Sequence, residues 1–309
     1  VSQAGRGWSA NGLTILSQLG LEADVVEVRC VVNAADRLGE GPVWSQAEQK
    51  LYWFDIKHPR LAWFEPATGE SGTFDLPMRA SAAVPRAAGG LLMATEKGLA
   101  VIDPQAGTLA ITQPYELGAG FRTNDGKVDM QGRFWWSTMD DDGGKRPGSV
   151  FRTDRDGKTT RVLTGIHIPN TVSFSPDGAV LYMADSKLQT LFAHQTADLS
   201  QVREFAHTRG TQASPDGSAV DAEGYLWNAQ WGGWRIVRYA PDGRVDRIVQ
   251  VPVEQPTSCA FGGPDLGTLY ITSAWDELSD AARAKQPLAG GLFAADVGVK
   301  GLKLPVFEG

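Results

Sequence analysis

A polar turn followed by an apolar, aromatic-rich stretch recurs six times along this chain. The copies are SQAEQKLYWF around Tyr52, RAAGGLLMA around Leu92, MQGRFWWS around Trp135, SPDGAVLYM around Tyr182, AEGYLWN around Trp227 and PDLGTLYIT around Tyr270. Successive anchors lie 40, 43, 47, 45 and 43 residues apart. A period of about 40–50 residues built from strands and turns marks a β-propeller with one four-stranded blade per repeat. Six copies predict an all-β fold, a six-bladed β-propeller around a central channel.

Within each repeat, short β-branched and aromatic runs such as Val150-Phe151-Arg152 and Ile236-Val237-Arg238-Tyr239 alternate with turn signals at 67–70, 175–178 and 241–244. Asp-Gly and Asn-Gly pairs supply the positive φ that tight hairpins need. A ring must also close. A strand near Val26–Val32 and the run at 292–297 are predicted to share one blade. Helical periodicity is scarce, and Glu277 to Lys285 is the best candidate for a loop helix. Residues 1–25 fit no blade and lack the long apolar core of a secretory signal. They form either a short helix at Thr14 to Leu21 or a flexible extension. Residues 26–309 form the single propeller domain.

Composition narrows the function. The chain has 309 residues, 42% of them hydrophobic, with ten Trp, enough for a large core. Its formal charge of −7 and the lack of any Lys/Arg run longer than two argue against a nucleic-acid backbone as partner. No stretch of about 18 apolar residues predicts a membrane span. Cys30 and Cys259 are the only cysteines, too few for a disulfide framework; they either pair or, the expectation here, stay as two buried thiols in a reducing cytoplasm.

Four segments depart from the repeat by placing oxygen-bearing side chains beside Gly or Pro. In 38–44, Glu40 stands between two glycines and ahead of Pro42, either an exposed turn residue or a group that a ligand approaches closely. In 121–129, Arg122 and Asn124 alternate along an extended chain and share a face. Their donors and acceptor suit a polyhydroxylated ligand, while Asn124-Asp125-Gly126 alone resembles a hairpin turn. In 167–175, Asn170 follows a proline and either caps a turn or ligates a metal. In 214–221, Asp216 sits in a Pro-Asp-Gly that looks like a hairpin turn, as at 176–178 and 241–243.

Together, Glu40, Asn170 and Asp216 are hard oxygen donors from three blades of a ring that converges on one axis. Two carboxylates and an amide carbonyl suit Ca²⁺, Mg²⁺ or Mn²⁺. His58, His167, His194 and His207 show no zinc-motif spacing. His167 is either a second-layer group near Asn170 or a surface or core histidine. No nucleophile-elbow or phosphate-loop motif occurs. The loop Trp231-Gly232-Gly233-Trp234 either walls a sugar pocket or packs between blades.

These motifs, GEGPVW at 39–44, RTNDGKVD at 122–129, RFWWSTM at 133–139, PNTVSFS at 169–175, PDGSAVDAEGYLW at 215–227 and FGGPDLGTLYIT at 261–272, resemble the regucalcin (senescence marker protein) and gluconolactonase family over about residues 30–300, above all its bacterial sugar-acid lactonases. The resemblance implies a six-bladed propeller and a metal site at Glu40, Asn170 and Asp216. It implies substrate contacts at Arg122 and Asn124, with Asp216 as the catalytic base. Relatives carry an acidic substrate contact after the Thr-Met. Here Asp140, Asp141 and Asp142 follow Met139, and Asp142 has the spacing of the animal members. Calcium, zinc, manganese and iron are all associated with the family, so one divalent ion (Ca, Zn, Mn, Mg or Fe(II)) is implied.

The expected function is metal-dependent hydrolysis of a small-molecule sugar lactone, such as glucono-, xylono- or arabinonolactone. The alternatives are a non-enzymatic calcium-binding propeller and an esterase acting on other esters. The sequence leaves the metal, the lactone and the oligomeric state open.

Overall fold

The computed structural model describes residues 26–309, and the extension at 1–25 lies outside the described residues. Six four-stranded antiparallel sheets form the ring. The first strand of each sheet, Gly39–Ser45, Ala80–Pro85, Phe121–Val128, Pro169–Phe174, Ser214–Val220 and Pro256–Gly262, packs against the first strand of its neighbours and lines the channel. These sheets are called blades 1 to 6 in that order. All six repeat anchors fall on the second strand of their blade, as the period predicts.

Closure is also as predicted. Blade 6 is built from Pro256–Gly262, Thr268–Ser273, Leu292–Asp296 and, outermost, Val28–Val32. The N-terminal strand pairs antiparallel with the last one, Val28 opposite Ala295 and Cys30 opposite Phe293. Large side chains fill the spaces between blades. Trp227 of blade 5 clusters with Cys259, Ile271 and Phe293 of blade 6, and Trp135 of blade 3 with Val172 and Phe174 of blade 4. Burying each such aromatic stabilises the ring by about 1.5–3 kcal/mol.

Where a blade presents a Trp anchor, its indole N–H needs a buried partner. Trp135 donates to Asp129 and Trp227 to Asp221, each at 2.8 Å. The other oxygen of each Asp accepts backbone N–H groups of the following turn. One carboxylate thus ties turn and anchor together in both blades.

All six channel-lining strands carry one irregularity at the same level. The pairing slips by one residue between Glu40 and Val43, Ala80 and Ala82, Thr123 and Gly126, Asn170 and Ser173, Pro215 and Ser218, and Pro256 and Ser258. Such bulges re-aim a side chain and bend the strand. The expected hairpin turns at Asn124-Asp125-Gly126 and Pro215-Asp216-Gly217 are therefore corrected: both lie inside channel-lining strands. Their glycines allow close approach to the next blade, because a Cβ on Gly217 would run into the Ser258 side chain and come within 3.0 Å of its Cα. The predicted loop helix is shorter than expected, Asp280–Ala284, capped by the Ser279 side chain. No helix among the described residues is long and apolar enough to cross a membrane.

At the C-terminal ends of the channel strands lies a cavity of about 450 Å³, lined largely by apolar groups such as Val84, Phe174 and Phe261. The chain end crosses it, with Leu302 N–H bonded to Val220 O at one side and Phe307 N–H to Pro85 O at the other. The polar, titratable groups lie instead toward the opposite end of the channel.

Gly217→Ala is expected to force blades 5 and 6 apart at this level and to destabilise the protein by about 1–3 kcal/mol, the usual range for overpacking. Urea unfolding checks it; an unchanged midpoint would show that the two strands tolerate separation.

Candidate active site

The six bulges place equivalent residues on one ring. Counting back three positions from the residue that pairs with each repeat anchor gives Glu40, Ser81, Asn124, Asn170, Asp216 and Thr257. Every one bears a side-chain oxygen. Ser81 and Thr257 turn sideways and donate to backbone carbonyls of the next blade, Asn124 O at 2.6 Å and Gly39 O at 2.5 Å. Glu40, Asn124, Asn170 and Asp216 are left to form the site.

The segments that deliver them are held by buried carboxylates. Asp55 accepts the backbone N–H groups of Arg37 and Leu38, just ahead of Glu40. Asp185 accepts those of His167 and Ile168, just ahead of Asn170. Hydrogen bonds to charged acceptors are the stronger kind, so the backbone leading into Glu40 and into Asn170 is firmly held.

Glu40 and Asp216, 8% and 7% exposed, come from blades 1 and 5 and face each other within hydrogen-bonding range. Burial, and then the charge of Asp125, pushes the Glu40 carboxyl up to about 8. Burial, and then Glu40, raises Asp216 well above its ordinary value. Two carboxylates cannot both stay ionised in so dry a place without a counter-charge. Asp125 lies with them. Its oxygens accept Gly126 N–H at 2.7 Å and, across to blade 4, Val172 N–H at 2.8 Å. The Lys127 ammonium offsets part of the Asp125 charge and donates to Ser218 O.

A chain of polar contacts continues round the mouth. Arg122 donates from one terminal nitrogen to Asn124 Oδ1 at 2.6 Å. Asn124 Nδ2 donates to Asn170 Oδ1 at 2.8 Å, Asn170 Nδ2 to Ser186 Oγ at 2.9 Å, and Ser186 Oγ to Pro215 O at 2.6 Å. Arg122 and Asn124 thus share a face, as their alternation predicts, and both adjoin the expected metal ligands.

One expected residue is misplaced. The Asp142 side chain is 72% exposed and pairs with Lys145. Asp141 is the carboxylate that meets Arg122, accepting from its Nε at 2.8 Å. Asp140 is taken by Arg146. Neighbouring residues of one turn point in different directions, so a shift of one residue changes which acid enters the site. Asp141 also accepts from Lys57 Nζ at 2.9 Å and from Arg79 at 2.8 Å. Burial would raise its pKa, but Lys57, Arg122 and Arg79 outweigh burial and hold the carboxyl well below the usual carboxylate range.

The remaining candidates resolve by contact. His167 Nδ1 meets Gly144 O at 2.7 Å and touches no member of the Glu40–Asp216 pair. Trp231 packs against the cluster containing Leu38, Phe54 and Ala274, whereas Trp234 is exposed. Asp125, Ser186, Lys57 and Arg79 went unassigned in the sequence. An Asp-Gly pair signals a turn as readily as a bulge, and nothing local marks the other three.

The donor set fits a divalent cation. Glu40 and Asp216 supply two buried, facing carboxylates in need of positive charge, and the Asn170 amide oxygen has a second lone pair beyond its bond from Asn124. No group of three His, Cys, Asp or Glu poised for a metal occurs among the described residues.

Fold and site together define a six-bladed propeller with a buried acidic and amide-bearing cluster on its channel strands. The family described as SMP-30/Gluconolactonase/LRE-like region matches residues 38–275, and the chain belongs to it. Among its relatives are a 6-deoxy-6-sulfogluconolactonase of Pseudomonas putida, 38% identical over 91% of this chain and 99% of that one, and an L-arabinolactonase of Azospirillum brasilense, 37% identical over 90% and 95%. A calcium-binding protein, regucalcin, from Agrobacterium tumefaciens superposes with a TM-score of 0.87 at 32% identity, covering 93% of this chain and all of the other.

The raised Glu40 pKa sets a pH dependence in protein stripped of divalent ions. Between its ordinary value of 4.5 and about 8, the folded state keeps a proton that the unfolded state has released. The associated stability is complete below about pH 4.5 and is lost as pH rises through about 8. In chelator, the thermal midpoint of the parent should therefore fall relative to that of Glu40→Gln across this window, and added divalent ion should close the gap. Parallel profiles would contradict the buried pair.

Proposed function

We propose that the protein is a metal-dependent lactonase that hydrolyses a sugar aldonolactone to the aldonic acid. The observation that carries this reading is the run of hydrogen bonds from Arg122 to Asn124 and from Asn124 to Asn170, beside the Glu40–Asp216 pair. A metal store needs the ligands alone. A hydrolase also needs donors that orient a polyol. Support comes from relatives named for sugar lactones on the same scaffold. The free thiols of Cys30 and Cys259 fit a reducing cytoplasm.

Glu40, Asn170 and Asp216 would hold the divalent ion, which when bound polarises the ester carbonyl as a Lewis acid. Arg122 and Asn124 bind ring hydroxyls and fix the angle at which the carbonyl carbon presents itself. Asp216 orients the attacking water and accepts its proton. Arg122 stays protonated and serves as donor only. Asp216 returns this proton to the ring oxygen as the ester C–O bond breaks, so the ring oxygen leaves as a hydroxyl, and the aldonic acid is released and ionises in water.

A pH-indicator assay with several aldonolactones, corrected for spontaneous opening, tests the reading directly. A divalent ion should be required. A filled metal site without turnover of any lactone would favour the calcium-binding alternative, which the description of the Agrobacterium neighbour supports.

Arg122→Ala should lower kcat/KM about tenfold to a hundredfold, the worth of one charged hydrogen bond, with metal binding retained; unchanged kinetics would remove Arg122 from the site. Asp216→Asn should remain at least about a hundredfold slower in kcat at saturating metal, in line with lost base assistance. Near-parental kcat there would limit Asp216 to holding the ion.

A further inference from the structure

Three cationic side chains from three blades converge at the channel mouth. Lys57 follows the second strand of blade 1, Arg79 leads into the first strand of blade 2, and Arg122 lies in the first strand of blade 3. All three reach the carboxylate of Asp141, at 2.9, 2.8 and 2.8 Å. Like charges this close repel strongly, so the arrangement needs a reason.

Holding Asp141 accounts for only part of it. The loop that carries Asp141 is anchored independently. Gly144 O accepts from His167 Nδ1 at 2.7 Å and Lys187 Nζ at 2.8 Å. Asp140 accepts from the Arg146 side chain at 2.8 Å and its backbone N–H at 3.0 Å. Against the three cations stand Asp141 and Glu96, which pairs with Arg79 at 2.8 Å. Arg122 also faces Glu40 and Asp216, so Asp141 and Glu96 balance Lys57 and Arg79, and Asp140 and Asp142 have their own partners in Arg146 and Lys145.

What is left over is hydrogen-bond donors. Arg79 uses Nε on Glu96 and one terminal nitrogen on Asp141, and its second terminal nitrogen has no protein partner among the described residues. The Lys57 ammonium makes one of its three possible bonds. Both side chains are about a quarter open to solvent. Arg122 connects this group to Asn124 and so to the Glu40–Asp216 pair. A ligand lying across Arg122 would have one end at the carboxylates and the other at Lys57 and Arg79.

We propose that Lys57 and Arg79 form an anion subsite, and that the preferred lactone carries a sulfonate or phosphate on the end remote from its ester carbonyl. The proposal rests on the lactonase reading for its reacting end and on the cation cluster for its other end. A tetrahedral oxyanion takes the spare Arg79 nitrogen and the Lys57 ammonium together, while Asp141 keeps the three cations at their spacing.

The test compares glucono-1,5-lactone with its 6-phosphate and its 6-deoxy-6-sulfonate, using the full chain loaded with divalent ion. The charged lactones should be preferred by about tenfold or more in kcat/KM, one charged hydrogen bond's worth, chiefly through KM, with the advantage shrinking as salt is added. Lys57→Gln and Arg79→Gln should each lower the charged-to-neutral ratio by about tenfold. The phosphate and sulfonate arms identify which anion is favoured. A parent without preference for either, or variants that depress all three lactones in parallel, would overturn the proposal and leave Lys57 and Arg79 as supports for Asp141. A second readout does not depend on turnover: calorimetric binding of 6-phosphogluconate against gluconate. A preference there that Arg79→Gln abolishes supports the subsite even if no lactone is opened, in which case the lactonase reading alone fails. Equal binding of the two acids would sink the subsite whatever the kinetics.

Discussion

One extra residue in each channel-lining strand, at the same height in all six blades, is the constraint on which the rest of this site depends. A regular strand would send successive side chains alternately into the two spaces beside it. The bulge breaks that alternation and turns one oxygen-bearing side chain out of register. Because the ring has approximate sixfold repetition, the same break yields six equivalent positions. Two of them, Ser81 and Thr257, stitch neighbouring blades together through backbone carbonyls. The other four, Glu40, Asn124, Asn170 and Asp216, are left to form the candidate site. Structural and functional uses are thus variants of a single backbone device.

Electrostatics then divides the mouth into two territories. On one side, Glu40, Asp216 and Asp125 concentrate negative charge in a buried space, relieved by Lys127 and Arg122. On the other, Lys57 and Arg79 concentrate positive charge around Asp141. Arg122 belongs to both, since it contacts Asp141 through Nε and Asn124 through a terminal nitrogen. Neutralising that one guanidinium would disturb both territories at once. Its planar fork suits a bridging position that a single-point ammonium could not fill.

The ring was legible in the sequence because its signal is global. Six phased copies of turn and aromatic strand leave little freedom, and closure between Val28–Val32 and Leu292–Asp296 follows from geometry. Glu40, Arg122, Asn124, Asn170 and Asp216 stood out through their Gly and Pro neighbours and through resemblance. What failed was local and directional. Pro215-Asp216-Gly217 has the same composition as the true turns at 176–178 and 241–243, yet it lies in a strand, because here glycine serves close approach to Ser258 rather than chain reversal. Among Asp140, Asp141 and Asp142, only the turn's three-dimensional course selects Asp141. Lys57 and Arg79 meet that residue across 84 and 62 positions of sequence, a separation that no short motif spans.

Closing blade 6 with strands from both ends of the chain has a consequence for how the molecule comes into being. Among the described residues, Val28–Val32 is the first strand and its partner Leu292–Asp296 the last. Until that last pairing forms, the N-terminal strand has no sheet to join, and the third strand of blade 6 exposes an open edge. Open edges are templates for pairing with other chains, and a contact spanning nearly the whole sequence carries a high loop-closure entropy. Blades 1 to 5 can assemble in order as local hairpins, but the circle locks only at the end. The Glu40–Asp216 contact, between blades 1 and 5, spans the closing blade. The pairing that covers the exposed edge therefore also secures the blade across which Glu40 and Asp216 face each other.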